Sequence, residues 1–444
     1  MPKKTPPSLP ISAFSPITPP NLSISSIPNK RNKPIFIIDS HVKHQENEDH
    51  QEFKKDWSDS ILTLRKSFIE FQSNSPEVES IGPLSQSTSS LNLKKSQSVS
   101  PFLGFIFVHD QTSTLDQDKK LKAFDLGSIE ISPALGEIIW APLNEGSEVL
   151  IEYLNEIQDV MKSNPTRRLL GCSYSIQSTN HSDRTSLTNP KLIESLKTLG
   201  EKGLSVEFLV EGNLDRSAPS VLEEILECVS AVRNDQELGK ETKFSICEMG
   251  KPHMVTSHSV VPSSASYSSI LSHLFSLSLF SNLSIKLSGL PLLIDLELAK
   301  GASTYYDRCR RPYHASGYTA APKPYTSTEE VNEIKDDVVD HHSNNGKEES
   351  DLAWKEIKKR MKFYLEPILE AFGDHRIMYS SDFPGFGSLF DDNEEKEEKI
   401  NSRLKSNYYE CQFELFRECL SELGLEGEAL DNVFGLNAQK WYGL

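Results

Sequence analysis

Short apolar runs rich in β-branched residues punctuate the chain. Most are followed by a stretch whose apolar residues fall at helical spacing. The runs are 35–41 (IFIIDSH), 104–110 (GFIFVHD), 137–143 (EIIWAPL), 168–176 (RLLGCSYSI), 205–210 (SVEFLV), 244–250 (FSICEMG), 283–290 (LSIKLSGL) and 377–384 (IMYSSDFP). Near-continuous apolar character that gives way to polar residues is the pattern of a parallel strand buried on both faces. Between them, 148–161, 190–203 and 219–232 carry apolar residues at i, i+3 and i+4, and 352–372 and 408–423 supply late helices. Prolines open two of these segments and suit a first helical turn. Strands alternating with helices imply a parallel sheet with crossover connections, and eight such units close an α/β barrel of the (β/α)₈ TIM type. The competing architecture is an open, doubly wound sheet. No GxGxxG follows any strand to favour it.

Three segments fall outside this scheme. Residues 1–33 are Ser- and Pro-rich and read as a disordered tail, so the barrel is expected over 34–444. Disordered insertions are expected at 73–100, which is Ser-rich, and at 315–350, which becomes strongly acidic. These segments dilute the apolar content to 37%. The net charge of −17 excludes a general affinity for nucleic acid or anionic membrane, since both need a basic surface. Much of that charge sits in 336–351 and 391–398, which read as solvated loops. No apolar run is long enough to span a membrane, and the longest candidate, 270–283, is interrupted by serines and a histidine. The six cysteines are scattered without a CxxC pair, as expected of reduced thiols in a cytoplasmic protein. Residues 1–38 lack any acidic side chain, which leaves organellar targeting open. The oligomeric state is not written in the sequence.

In such a barrel, chemistry belongs at the C-terminal ends of the strands. Polar residues stand there on strand after strand: Asp39, His41 and Lys43 on the first, His109 on the second, Tyr174 and Gln177 on the fourth, Glu248 and Lys251 on the sixth. Asp382 is the strongest single candidate, because it directly follows an apolar strand and precedes the proline that ends it. A carboxylate there can deprotonate water or bind a metal, or simply cap the next turn. Arg308, Arg310, Arg311 and His314 follow the seventh strand and suit anion contacts if their loop folds over the mouth. Asp340-His341-His342 looks like a metal site only in composition, since it lies in an acidic run.

The motifs resemble those of the amidohydrolase-related family, a group of TIM-barrel hydrolases and lactonases. Ile38-Asp39-Ser40-His41-Val42-Lys43 is similar to its DxHxH strand, Cys247-Glu248-Met249-Gly250-Lys251-Pro252 to DHxGKP, and Lys286-Leu287-Ser288-Gly289-Leu290 to KLSGL. Ser381-Asp382-Phe383-Pro384 resembles GSDWP, and Gly435-Leu436-Asn437-Ala438 with Tyr442-Gly443-Leu444 resembles the GNAxxxYGL ending. The series runs in family order from residue 34 to the C-terminus. The departures are Lys43 for the second histidine of DxHxH, Glu248 for the histidine of DHxGKP, and the missing Arg-His of the fourth strand.

The resemblance implies a divergent hydrolase acting on a small lactone or similar carbonyl ester or amide. Asp382 would be the general base, with His41 and Lys251 polarising the carbonyl. Lys43, His109, Tyr174, Gln177, Arg308 and Arg311 are the candidate substrate-binding residues. No cofactor is expected except a zinc ion on the poor ligand set His41, Glu248 and Asp382, opposed by the Lys43 charge. The alternatives are a catalytically inactive barrel used for ligand binding or interaction, and a decarboxylase-like lyase, which would depend on that metal set.

Overall fold

Eight parallel strands form one sheet in chain order, each pairing with its sequence neighbours. They are β1 (Ile37–Lys43), β2 (Phe102–Val108), β3 (Ala134–Trp140), β4 (Leu169–Gln177), β5 (Ser205–Glu211), β6 (Phe244–Ile246), β7 (Leu283–Leu287) and β8 (Ile377–Tyr379). The first and last strands then meet. Val42 bridges Phe383 in parallel, the Lys43 amide donates to the Phe383 carbonyl at 2.7 Å, and the Asp382 amide donates to the His41 carbonyl at 3.0 Å. The sheet therefore closes as the (β/α)₈ barrel that the strand count predicts. The computed structural model describes residues 34, 36–43, 57–64 without 59 and 63, 102–109, 133–162, 167–177, 186–211, 218–234, 241–252, 265–289, 296–309, 343–383 and 398–444. The expected tail at 1–33, the insertion at 73–100 and the first part of that at 315–350 lie outside these residues, as do Arg310, Arg311, His314 and Asp340.

Alternation along the strands separates two cores. Phe105, Phe107, Ile139, Val206, Phe208, Phe244 and Ile285 point outward into the layer shared with the helices. Ile38, Ile106, Val108, Ile138, Leu170 and Met378 form a separate inner cluster. The helices are α1 (Ser147–Lys162), α2 (Pro190–Glu201), α3 (Ala218–Asn234), α4 (Ala265–Ser278), α5 (Leu296–Cys309), α6 (Ser343–Phe372), α7 (Glu398–Glu422), α8 (Glu428–Asp431) and α9 (Asn437–Tyr442). In α1, Leu150, Leu154, Ile157 and Met161 are the buried stripe, each contributing roughly 1.5–3 kcal/mol by leaving water. Asn189 caps α2 by accepting from the Lys191 amide at 3.1 Å, and Pro190 opens its first turn. Over the β1–β8 seam, Trp57 packs its ring on Phe105, Phe383 and Tyr409.

The N-terminal end of the barrel is plugged by the end of the chain. Ala438 and Tyr442 of α9 join the inner cluster, and Asn437 donates to the Ile377 carbonyl at 2.8 Å and the Asp374 carbonyl at 2.6 Å. Gly435 is required by this approach, because a Cβ there would stand 2.5 Å from the Phe36 ring.

The element boundaries differ from the sequence expectations in four places. The sixth strand stops at Ile246, since Glu248 and Met249 adopt left-handed backbone angles. The eighth stops at Tyr379 before the left-handed Asp382. The helix expected from 352 begins at Ser343, inside the stretch assigned to the acidic insertion. Lys347, Glu348 and Glu349 are good helix formers that need no apolar stripe to extend it. Finally, Arg308 belongs to α5 rather than to a loop. The Gly301-Ala302-Ser303-Thr304 stretch obscures that helix in the sequence, while Ala302 and Tyr306 bury against Trp354 of α6.

Asp39 belongs to the seam rather than to the mouth. Its Oδ1 accepts from the His41 amide at 3.1 Å and the Ser381 amide at 2.9 Å. Burial raises its pKa to about 6, against hydrogen bonds from Ser381, His41 and Tyr409. A folded-state pKa above the unfolded value of 3.8 means the favourable neutral form is lost as pH rises through about 6. Asp39→Asn keeps the acceptor without the charge. Urea unfolding is expected to show the variant gaining on the parent by about 2 kcal/mol between pH 4 and pH 7. A difference that stays constant across that range would rule this account out.

Candidate active site

The floor of the site is a buried ion pair. Lys286 of β7 and Glu207 of β5 are both fully buried and stand 2.6 Å apart. Lys286 also donates to the Ser40 carbonyl of β1 at 2.5 Å, and the Tyr442 hydroxyl of α9 donates to the same Glu207 oxygen at 2.6 Å. Burial opposes ionisation of Glu207. The Lys286 charge and the His41 hydrogen bond outweigh it and hold the carboxyl near 2. The other Glu207 oxygen lies 3.3 Å from His41 Nδ1 and accepts from the Cys247 thiol at 3.7 Å. Burial and the Glu207 charge push that thiol up, so it stays protonated.

An ionised Glu207 can only accept, so His41 carries its proton on Nδ1 and presents a lone pair on Nε2. Burial keeps His41 below its usual pKa, helped by the Lys43 and Lys286 charges. Its Nε2 faces Asp382 Oδ1 at 3.4 Å. Both atoms are buried, and His41 Nε2 has no hydrogen-bond partner. Lys43 Nζ stands 3.0 Å from the same Asp382 oxygen. Asp382 is held there by a left-handed backbone at φ 58°, a conformation Asp tolerates better than most L residues. The Phe383 amide donates to Ser381 Oγ at 3.0 Å and tightens the turn.

Opposite, the end of β6 folds into a tight turn. Glu248, Met249 and Lys251 all have positive φ, near 55°, each costing on the order of 1–3 kcal/mol. The Glu248 amide donates to Ser288 Oγ at 2.9 Å. Gly289 leaves room for the Glu248 side chain, since a Cβ there would come within 2.6 Å of it. Burial raises the Glu248 pKa, and the Asp382 charge adds to this against Lys43 and Lys251. Lys251 Nζ lies 3.5 Å from Glu248 and donates to the Val210 carbonyl at 3.0 Å.

His41, Lys43, Glu248, Lys251 and Asp382 are thus gathered at one end of the barrel. Other candidates are placed elsewhere. His109 packs its ring edge-on to Phe107 of the outer core and meets Glu137 at 2.8 Å. Arg167 binds that carboxylate at 2.5 Å, and Glu137 is held near 2 because Arg167 and His109 outweigh its burial. This trio lies on the helix side of the sheet, since His109, directly after β2, packs against the outward-facing Phe107 two residues before it. Tyr174 packs against the outer core and donates to Asn144 at 3.2 Å. Gln177 ends β4 beside Glu211.

The sequence reading missed Glu207, Cys247 and Tyr442 as parts of the site, and gave Lys286, which it marked near the end of the seventh strand, no role there. A usable signal was present: Glu207 is a lone carboxylate in the middle of the apolar run SVEFLV.

The residues do not fit a divalent ion. At the mouth, the Lys43 ammonium sits beside the Asp382 oxygen that a metal would need, and Lys251 does the same at Glu248. Among the described residues, the group whose ligand atoms lie within 4.8 Å of one another is His41, Glu207 and Cys247. There the Lys286 ammonium already neutralises the Glu207 carboxylate at 2.6 Å, where a cation would have to bind.

No protein-family model and no curated protein matches the sequence. Solved structures similar to the chain include an amidohydrolase from Burkholderia multivorans. It is 13% identical, with 92% of this chain and 99% of that one covered at a TM-score of 0.49. A putative 2-pyrone-4,6-dicarboxylic acid hydrolase from Pseudomonas putida is 14% identical, with 92% and 98% covered at 0.42. A 2,6-dihydroxybenzoate decarboxylase from Rhizobium is 8% identical, with 93% and 99% covered at 0.38. The barrel itself rests on this chain's own strand order and closure.

Proposed function

We propose that the mouth hydrolyses a small lactone or a related carbonyl ester or amide, with Asp382 as general base. The observation that carries this reading is the buried acceptor His41 Nε2, which has no hydrogen-bond partner and lies 3.4 Å from Asp382 Oδ1, the oxygen that the Lys43 ammonium pairs at 3.0 Å. A water molecule that donates to His41 Nε2 and to the Asp382 carboxylate would satisfy the orphaned nitrogen and stand beside the base. As its oxygen attacks the carbonyl carbon, one proton passes to Asp382. The carbonyl oxygen becomes an oxyanion beside Lys43, the ring C–O bond breaks, and the Asp382 proton goes to the leaving alkoxide.

This assignment moves the carbonyl-polarising role from His41 and Lys251 to Lys43. With its proton held by Glu207, His41 has nothing to donate at Nε2, and Lys251 is occupied by Val210 and Glu248. Glu207, Lys286 and Tyr442 are positioning residues that fix the histidine tautomer. The lyase reading needs a metal set that these side chains do not form. The Lys43–Asp382 and Lys251–Glu248 pairs favour a second reading, a ligand-binding barrel without turnover, because they neutralise the mouth's own charges.

The two are separated by a panel of γ- and δ-lactones, with acid release followed on the full chain. Hydrolysis is expected, and Asp382→Asn is expected to lower kcat/KM by at least ~100-fold with its melting temperature preserved. Equal turnover by both proteins would refute the assignment. Lactone-dependent melting shifts without turnover would install the second reading.

A further outcome concerns His41. Its folded pKa lies below the unfolded 6.5, so its stabilising contribution is present above 6.5 and lost only as pH falls through the lower folded value. Nitrogen-15 NMR is expected to show a neutral ring protonated on Nδ1 as pH passes 6.5. A neutral ring protonated on Nε2 would contradict the role given to Glu207, and titration at or above 6.5 would contradict the dominance of burial at His41.

A further inference from the structure

The opposite end of the barrel holds a second concave site. The starts of β6, β7 and β8 and the plug helix α9 frame a cavity of about 450 Å³. Four basic residues line it, Lys243, His375, Arg376 and Lys440, and no Asp or Glu does. In a chain with 64 acidic and 47 Lys and Arg residues, an acid-free basic cavity is against expectation.

The cations are also uncompensated. Among the described residues, neither Lys243 nor Lys440 forms an ion pair, and the two face each other closely enough that Lys440, after burial, holds the Lys243 pKa down. Lys243 cannot relax away easily, because it donates to the Trp441 carbonyl at 2.7 Å and lies 5.6 Å over the Trp441 ring. Arg376 is anchored by the carbonyls of Ser278 at 2.7 Å and Phe280 at 3.0 Å. Trp441 Nε1 is buried without a hydrogen-bond partner. Ser278, Ser281, Ser284 and Asn437 add neutral polar groups to the wall, and Met378, the Trp441 ring and Leu279, which is 82% exposed, form its apolar part.

We infer that this cavity binds a small anion, a phosphate or carboxylate, carried on an apolar body. The charged head would sit between Lys243 and Lys440, relieving their repulsion through charge-assisted hydrogen bonds. The body would lie against Leu279, Met378 and Trp441. The site is independent of the chemistry proposed for the mouth, although Lys440 and Trp441 stand on the same short helix as Tyr442, which holds Glu207.

Tryptophan fluorescence and calorimetry on the full chain at low salt test this, with phenyl phosphate and benzoate as probes and inorganic phosphate and benzyl alcohol as controls. Saturable binding of the two aromatic anions is expected, at least ten-fold weaker in Lys440→Glu, whose exposed side chain leaves the fold intact by circular dichroism. Trp441→Phe is expected to abolish the fluorescence change, and Asp382→Asn to leave the affinity unaltered. Absence of saturable binding, or equal affinity in Lys440→Glu, would overturn the site. Loss of affinity in Asp382→Asn would move the anion to the mouth and overturn it too. Inorganic phosphate binding as tightly as phenyl phosphate would overturn the apolar half of the inference.

Discussion

Lys286 and Glu207 meet at 2.6 Å inside the barrel with no exposure to solvent, and most of the polar architecture hangs from that contact. An ion pair taken out of water gains little net stability, but removing one partner strands the other at a cost of several kcal/mol. What the pair supplies here is placement. Lys286 reaches across to the Ser40 carbonyl of β1, and Glu207 accepts from Tyr442 of the plug and from His41. Three strands and the chain terminus are tied to one carboxylate. The tie also explains the division of the interior, where β1 to β4 and β8 contribute the apolar cluster while β5 to β7 carry Glu207, Ser245, Ser284 and Lys286.

Above that floor, the backbone does the positioning. The non-glycine residues with left-handed angles among the described residues are Glu248, Met249, Lys251 and Asp382, all at the C-terminal ends of β6 and β8. Strain of this kind persists only where surrounding contacts over-determine it. Those contacts are visible: the β1–β8 amide bonds hold Asp382, and Ser288 and the space above Gly289 hold Glu248. The result is a crowded set of charges that are opposed in pairs, with His41 Nε2 left as a buried acceptor 3.4 Å from Asp382 Oδ1.

Much of this was legible beforehand. The strand positions followed from apolar continuity, and the mouth from polar residues that end buried strands. His41, Lys43, Glu248, Lys251 and Asp382 were all marked on that ground, and all stand together. His109 and Tyr174 were marked on the same ground, yet they face the helix layer. A strand end identifies position along the barrel axis, but which face a side chain takes depends on register, and β1–β2, β2–β3 and β3–β4 all contain register shifts. Glu207 went unmarked because it lies in mid-strand, where only a partner from another strand makes a carboxylate tolerable.

The amino-acid sequence by itself determined the barrel, because near-continuous apolar runs alternating with segments of 3.6-residue periodicity admit few packings and eight units admit closure. It also determined which residue types could reach the mouth. Only the tertiary structure decided their roles. Whether Lys43 opposes a metal or pairs with Asp382, whether His41 can donate, and whether Lys243 and Lys440 share one cavity all depend on distances of a few ångströms between residues far apart in the chain. Electrostatic energies at that range vary steeply with separation and burial, and neither quantity is written in the order of the residues.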